Sequence, residues 1–360
     1  MTASMVCRVH YSAFALLLLT TVVSAGEPSA RWRIETSDRQ KIDARIRYEI
    51  HTTSYLVTRW LAFMPEPPEL PSQTVAKVTG TPNSKVVEER SPIARKVRLV
   101  DLPVSDLSLA RKLQLDLYVQ ATLRARRLVA LKNGETSPKV VPLTQAEQKY
   151  YTSAGTSIDF NVPSFKNWLD KKQLHPKKGE LPMQFAERVL EVIRSDYKYK
   201  FTVGEKRASI VCDQPTGDCS CMSYIFVGAM RASDIPSRML VGRFAKPRKE
   251  GVGPSDNQYD QPHVRCEFYL KDVGWVPVDP AFANGNKVKK VRDFIGNDLG
   301  DVLVLYVDID LQLPFPDKVR PSPGMQTHPA YWAFGKGKFD GEYGDTGWEL
   351  TATPIAKTSR

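Results

Sequence analysis

Beyond its first two dozen residues the chain has no apolar run approaching the roughly 20 residues of a membrane-spanning helix, which excludes a helical span in that part. There is no internal repeat, so a solenoid or propeller array is excluded as well. Cysteine is missing from most of the sequence: Cys7 stands alone near the start, and Cys212, Cys219, Cys221 and Cys266 share one region. Even there the Cys-x-Cys of 219 and 221 is not the Cys-x2-Cys common in zinc sites. Basic charge is not gathered into a block, and no nucleic-acid reading motif accompanies it. No nucleic-acid partner is therefore indicated.

What is present is a globular composition, 42% hydrophobic and 25% charged over 360 residues, enough for two domains. Arg8 precedes an apolar run, Ala13–Val23, and Val23-Ser24-Ala25 is a small-x-small cleavage site. This run is too short to span a bilayer and suits a secretory signal over residues 1–25. Cleavage near Ala25 then yields a secreted or periplasmic protein, with no lipobox cysteine after the run. Of the charged residues only Arg8 is lost, leaving 50 basic and 40 acidic residues and a net charge of +10. Such a surplus can hold a protein to an anionic cell-envelope component, or can simply be solvated.

Residues 26–140 read as a β-sandwich-like domain of six to eight strands. Ile46, Tyr48 and Ile50 interleave with Arg45, Arg47 and Glu49, and Leu113, Leu115, Leu117, Val119, Ala121 and Leu123 alternate strictly with polar neighbours. This part carries no cluster of catalytic residue types. A polar stretch from Lys132 to about Thr144 marks the boundary. Residues 141–310 mix helices, at Pro163–Lys171 and Pro182–Asp196, with strands at Met239–Phe244, His263–Leu270, Trp275–Asp279 and Asp301–Ile309. The spacing of Met222, Ile225, Phe226 and Ala229 predicts a helix with one buried face starting at Cys219. Pro and Gly are frequent in residues 311–360, which reads as an irregular extension lying over the second domain.

The chemistry concentrates at Gly217-Asp218-Cys219. Asp218 suits an N-cap, and Cys219 in the first turn of the helix has the free N–H groups and dipole that favour a thiolate. His263 opens a strand that alternates polar and apolar residues, on the face opposite Val264, Cys266 and Phe268. A tight turn near Lys271–Asp272 brings Asp279 back opposite His263 or within a few residues of it. Cys219, His263 and Asp279 are then nucleophile, base and orienter, in that order along the chain.

These motifs resemble the transglutaminase-like superfamily of Cys-His-Asp enzymes. The resemblance rests on Gly217-Asp218-Cys219, Arg231, Ile235-Pro236-Ser237-Arg238, His263…Glu267 and Gly274-Trp275-Val276-Pro277-Val278-Asp279-Pro280. It covers about Pro182–Ala283. Cys219 lies 19 residues before Arg238 and 44 before His263, which lies 16 before Asp279. The resemblance implies an α+β, papain-like core whose Cys helix packs on an antiparallel sheet. It implies Cys219 as nucleophile, His263 as base and Asp279 as orienter, with no metal or organic cofactor. The departures are Arg265 in place of an aromatic residue after the His, Asp234 in place of Gly before Ile-Pro, and an unexpected Cys221.

The expected reaction is acyl transfer through a Cys219 thioester on a carboxamide or peptide substrate, an amine or ammonia leaving. One oxyanion donor would be the backbone N–H of Cys219 or its neighbour, and Tyr199 is a second candidate from its place just before the motif. Hydrolysis, as by a protease or amidase, is favoured over transamidation, because Arg265 and the charged loop Lys246–Asp260 suggest a polar entrance that repels a lysine cation. Three other readings stand beside this one. They are a non-catalytic envelope-binding protein that keeps the fold, a disulfide-stabilised module pairing Cys212 with Cys266, and a zinc module on Cys212, Cys219, Cys221, Cys266 and His263. Arg231 and Arg238 read as structural ion-pair partners.

Overall fold

The structure is a computed structural model that describes residues 32–105, 111–132, 135–136, 138–202, 204, 206–245, 262–286, 288–322, 328–343 and 347–355. The signal segment 1–25 and the whole charged loop Lys246–Asp260 lie outside the described residues.

The first third is all strand among the described residues: β1 (Trp32–His51), β2 (Leu56–Pro65), β3 (Gln73–Thr81), β4 (Lys85–Glu88), β5 (Lys96–Pro103) and β6 (Lys112–Ala130). The two long alternating strands pair antiparallel along their whole length, from Trp32 opposite Ala130 to His51 opposite Lys112, with one bulge between Asp38 and Gln40. Alternation decides which face is buried: Ile42, Ala44, Ile46, Tyr48 and Ile50 of β1 and Leu113, Leu115, Leu117, Val119, Ala121 and Leu123 of β6 all point inward. A second sheet built on β2 and β5 faces them with Trp60, Ala62, Met64 and Val100, which completes a sandwich-like core.

The middle of the chain is helical at first: α1 (Gln145–Thr152), α2 (Pro163–Lys172) and α3 (Pro182–Asp196). Pro163 and Pro182 stand in the first turn of their helices, where a missing N–H costs nothing. The short strand β7 (Lys198–Tyr199), α4 (Ala208–Val211) and β8 (Thr216–Gly217) lead into α5 (Cys219–Ala232). Then come β9 (Ser237–Phe244), β10 (Pro262–Leu270), β11 (Gly274–Val278), α6 (Pro280–Gly285), β12 (Asn297–Asp298) and β13 (Val302–Val307). Strands β11-β10-β9-β13 form an antiparallel sheet on which α5 lies. The expected single buried face of α5 is an underestimate, since every residue from Cys219 to Arg231 is buried. Its other sides are covered by α3, α4 and α6, and the ring of Phe165 from α2 packs against Gly228. The overall class is α+β, a β-sandwich-like region followed by a papain-like core.

The C-terminal segment is not irregular, and it does not lie over the helical region. It forms β14 (Leu311–Pro314), β15 (Val319–Ser322), β16 (Ala330–Lys336), β17 (Glu342–Tyr343) and β18 (Gly347–Pro354). Strand β16 adds to β2, and β17 and β18 add to β1, so the tail completes both sheets of the first region. Proline and glycine misled the sequence reading: they sit largely at turns and edges, where they are compatible with strand pairing. What holds β16 is aromatic packing, with Trp332 edge-on to both Phe63 and Phe315.

The two regions are stitched together by polar contacts. Strand β12 pairs with β6, placing Asp298 opposite Arg126. The Gln73 side chain exchanges two hydrogen bonds with the backbone of Val304, at 2.9 and 2.8 Å. Arg126 is ion-paired to Glu267 of β10, which also holds Arg238 of β9 at 2.6 Å.

Candidate active site

Helix α5 begins at the thiol because Asp218 caps it. Its carboxylate accepts from the N–H of Ser220 at 3.0 Å and of Cys221 at 3.2 Å, and its other oxygen is held by Lys206 at 2.5 Å. Burial alone would raise the Asp218 pKa, but Lys206 and Ser220 hold it below the usual carboxylate range. Gly217 is required by close approach: a Cβ there would stand 2.7 Å from Cβ of Cys221.

The helix runs in the same direction as β10. Ser223 reaches Val264 and Cys266, and Phe226 packs on Phe268. One turn earlier, Cys219 therefore comes level with His263, close enough for its thiol to act on the charge of the imidazole. On the other side of the ring, His263 Nε2 lies 2.7 Å from Asp279 Oδ2, which leaves Nδ1 for the thiol. Asp279 follows the end of β11 and caps α6, accepting from the N–H of Phe282 at 3.0 Å. Its position relative to His263 is diagonal, because the register sets Cys266 opposite Val278. Phe244 and Phe282 flank the imidazole in stacked geometry, with ring centres 4.4 and 5.3 Å away.

Burial lowers the His263 pKa, but the Asp279 carboxylate and the contact with Cys219 outweigh it and raise the pKa to about 9. Asp279 is held below its ordinary value against burial, first by His263 and then by Arg265. Burial pushes the thiol of Cys212 up to about 12, raises that of Cys221, and raises that of Cys266 well above the ordinary range.

Tyr199 is half exposed, at 51%, and stands beside Cys219, near enough for its hydroxyl to feel the thiol and the backbone N–H. Burial first, and then the negative charge at Cys219 and Asp218, raise its pKa, so it stays protonated and able to donate. All four residues singled out in the sequence, Cys219, His263, Asp279 and Tyr199, are thus brought to one place. Sequence reasoning missed Lys206, Phe244 and Phe282, none of which stands in a spaced motif. It also misplaced Arg265, which does not face an entrance. The residue is 6% exposed and its side chain is ion-paired to Asp279, Asp298 and Asp301.

Cys212, Cys219, Cys221 and Cys266 are all free thiols, so the Cys212–Cys266 pairing does not form. The two sit on different elements and bond elsewhere, Cys212 Sγ to the carbonyl of Ser209 and Cys266 Sγ to that of Ser223. Among the described residues no group of three or more His, Cys, Asp or Glu is arranged to hold a metal ion. Arg231 pairs with Asp308 and Arg238 with Glu267, as expected of structural cations.

Residues 170–280 match the sequence profile of the transglutaminase-like superfamily. A protein of Haemophilus influenzae without an assigned function is 25% identical over 185 residues, 48% of this chain and 50% of that one. The chain thus matches about half the length of this curated relative. Among solved structures, a candidate cysteine protease from Cytophaga hutchinsonii shares the fold with a TM-score of 0.58 at 10% identity, over 90% of this chain and 94% of the other. The periplasmic domain of TgpA from Pseudomonas aeruginosa overlaps more loosely, at 12% identity and a TM-score of 0.33, over 70% of this chain and 92% of that domain. The residues similar to the transglutaminase-like superfamily, 170–280, are the ones that carry Cys219, His263 and Asp279.

Proposed function

We propose that this protein is an exported thiol enzyme that transfers acyl groups through Cys219. The observation that carries the reading is the imidazole of His263 held between the Cys219 thiol and the Asp279 carboxylate. His263 takes the thiol proton, and the sulfur attacks a carboxamide or peptide carbonyl. The developing oxyanion is stabilised by the Cys219 N–H and the Tyr199 hydroxyl. Protonated His263 then gives its proton to the departing amine or ammonia, and a second nucleophile resolves the thioester. Asp279 keeps the ring oriented and the imidazolium stable. The chain's own groups suffice for every step.

Water is favoured as the second nucleophile. The reason is not Arg265, which is buried and presents no cation to an arriving substrate. It is that lysine, with a pKa of about 10.4, is almost wholly protonated at neutral pH and must lose its hydration to compete. The substrate class is a protein or peptide. Location outside the cytoplasm rests on the signal-like residues 1–25, and a role at the cell envelope on that location and the basic surplus.

The test incubates purified protein with a glutamine-containing peptide and a labelled primary amine, measuring ammonia, cleaved peptide and incorporated label. Turnover lost in Cys219→Ala, with hydrolysis exceeding label incorporation, is the expected result. Activity surviving in Cys219→Ala would refute the thioester, and label yields rivalling hydrolysis would reverse the order of acceptors.

A further inference from the structure

The third member of the site, Asp279, is itself held by a cation. The guanidinium of Arg265 presents three nitrogens to three carboxylates: Nε faces Asp279 Oδ2 at 3.3 Å, Nη1 donates to Asp298 Oδ1 at 2.7 Å, and Nη2 donates to Asp301 Oδ1. The same Asp279 oxygen receives His263 Nε2. The far end of this grip is anchored away from the Cys helix. Asp298 lies in β12 opposite Arg126, accepts from the Gly300 N–H at 2.9 Å, and faces Arg126 Nε at 3.7 Å. Two positions further along β10, Glu267 is gripped by Arg126 and Arg238. Arg126 therefore touches both clusters from the long strand of the sandwich.

We propose that Arg265 is a positioning residue that fixes Asp279 against His263, and that its anchorage on β12 ties the orientation of the imidazole to the N-terminal sheet. The inference rests on the Cys219–His263–Asp279 reading and deepens it. Asp279 closes β11 and its backbone has no neighbouring strand to lock the carboxylate. Two contacts restrain Asp279 besides the imidazole: the Phe282 N–H on Oδ1 and, as an ion pair without a hydrogen bond, the Nε edge of Arg265 at 3.3 Å from Oδ2. A planar guanidinium can hydrogen-bond Asp298 and Asp301 while its Nε edge ion-pairs with Asp279, which a lysine ammonium on a flexible stem cannot do with comparable geometry. The charged groups facing Asp279 are His263 and Arg265, and those facing Arg265 are Asp279, Asp298 and Asp301. Without the guanidinium, three acidic side chains are left with one imidazole and Arg126, and the loss of a nearby cation disfavours a thiolate at Cys219.

The experiment follows the rate of Cys219 carboxamidomethylation against pH by mass spectrometry, which needs no substrate, alongside thermal unfolding. Wild type, Arg265→Met, Arg265→Lys and His263→Ala are compared. Arg265→Met is expected to fold and to move the profile about one pH unit higher, about tenfold slower labelling at a given pH. Arg265→Lys, which keeps the charge without the fork, should move it in the same direction by less. A folded Arg265→Met with the wild-type profile overturns the proposal. If Arg265→Met does not fold, Arg265→Lys decides, and a wild-type profile there overturns it. Failure of both to fold assigns Arg265 a purely structural role and also overturns it. His263→Ala separates the two readings: if it leaves the profile unchanged, the thiol–imidazole pair itself is wrong, whereas a shift in His263→Ala alone sinks only the role of Arg265.

Discussion

Tyr199 shows how little of a site's chemistry one side chain needs to carry, and how much its surroundings decide. It lies on the two-residue strand β7, paired parallel to β8 so that Tyr199 stands opposite Gly217. That pairing, not its place in the sequence, brings Tyr199 beside Cys219. If the hydroxyl stabilises the oxyanion, Tyr199→Phe should lower kcat on the order of 10²-fold and leave KM almost unchanged, because the interaction is made mainly in the transition state. Steady-state kinetics on the peptide substrate checks this. A raised KM with unchanged kcat would instead make Tyr199 a contact for bound substrate.

At the scale of the element, the end of α5 explains one departure from the family pattern. Asp234 has φ of +57°, the left-handed region in which glycine is at ease and most side chains are strained. Its N–H bonds to the Arg231 carbonyl at 3.1 Å and that of Ile235 to Met230 at 3.0 Å, a helix stop before Pro236. Aspartate is among the residues that tolerate this conformation, which is why it can replace glycine there. Asp234→Val should cost about 1–2 kcal/mol, while Asp234→Gly should be neutral or stabilising. Chemical denaturation measures both, and equal stability of the Val and Gly variants would show that the backbone is not strained there.

For the whole molecule, pH links the site to stability. The folded pKa of His263, about 9, lies above its unfolded value of 6.5. Its contribution to stability is therefore complete below pH 6.5 and is lost as pH rises through 9. Asp279, held below 3.8, contributes above that pH and loses its contribution as pH falls through its folded value. The melting-temperature difference between wild type and His263→Phe should therefore shrink between pH 6.5 and 9.5 as wild type loses this term. A difference constant across that range would contradict the raised pKa.

Local pattern alone made much of this protein legible. The 2-residue alternation of Leu113–Leu123 marked β6, the stripe of Phe185, Val189, Val192 and Ile193 and the first-turn Pro182 marked α3, and Asp218-Cys219 marked the helix start, because each signal lies within one element. Spaced motifs extended this to the thiol, imidazole and carboxylate, since antiparallel strands joined by a tight turn constrain which residues can meet. What only the tertiary structure decided are contacts whose partners are far apart in the chain. The tail from Leu311 is rich in Pro and Gly, yet β16 and β18 pair with β2 and β1, more than 250 residues away. Arg265 looks in the sequence like a surface charge on an alternating strand. It is buried because β12 and β13 bring Asp298 and Asp301 over it, and three carboxylates repay the desolvation of one guanidinium.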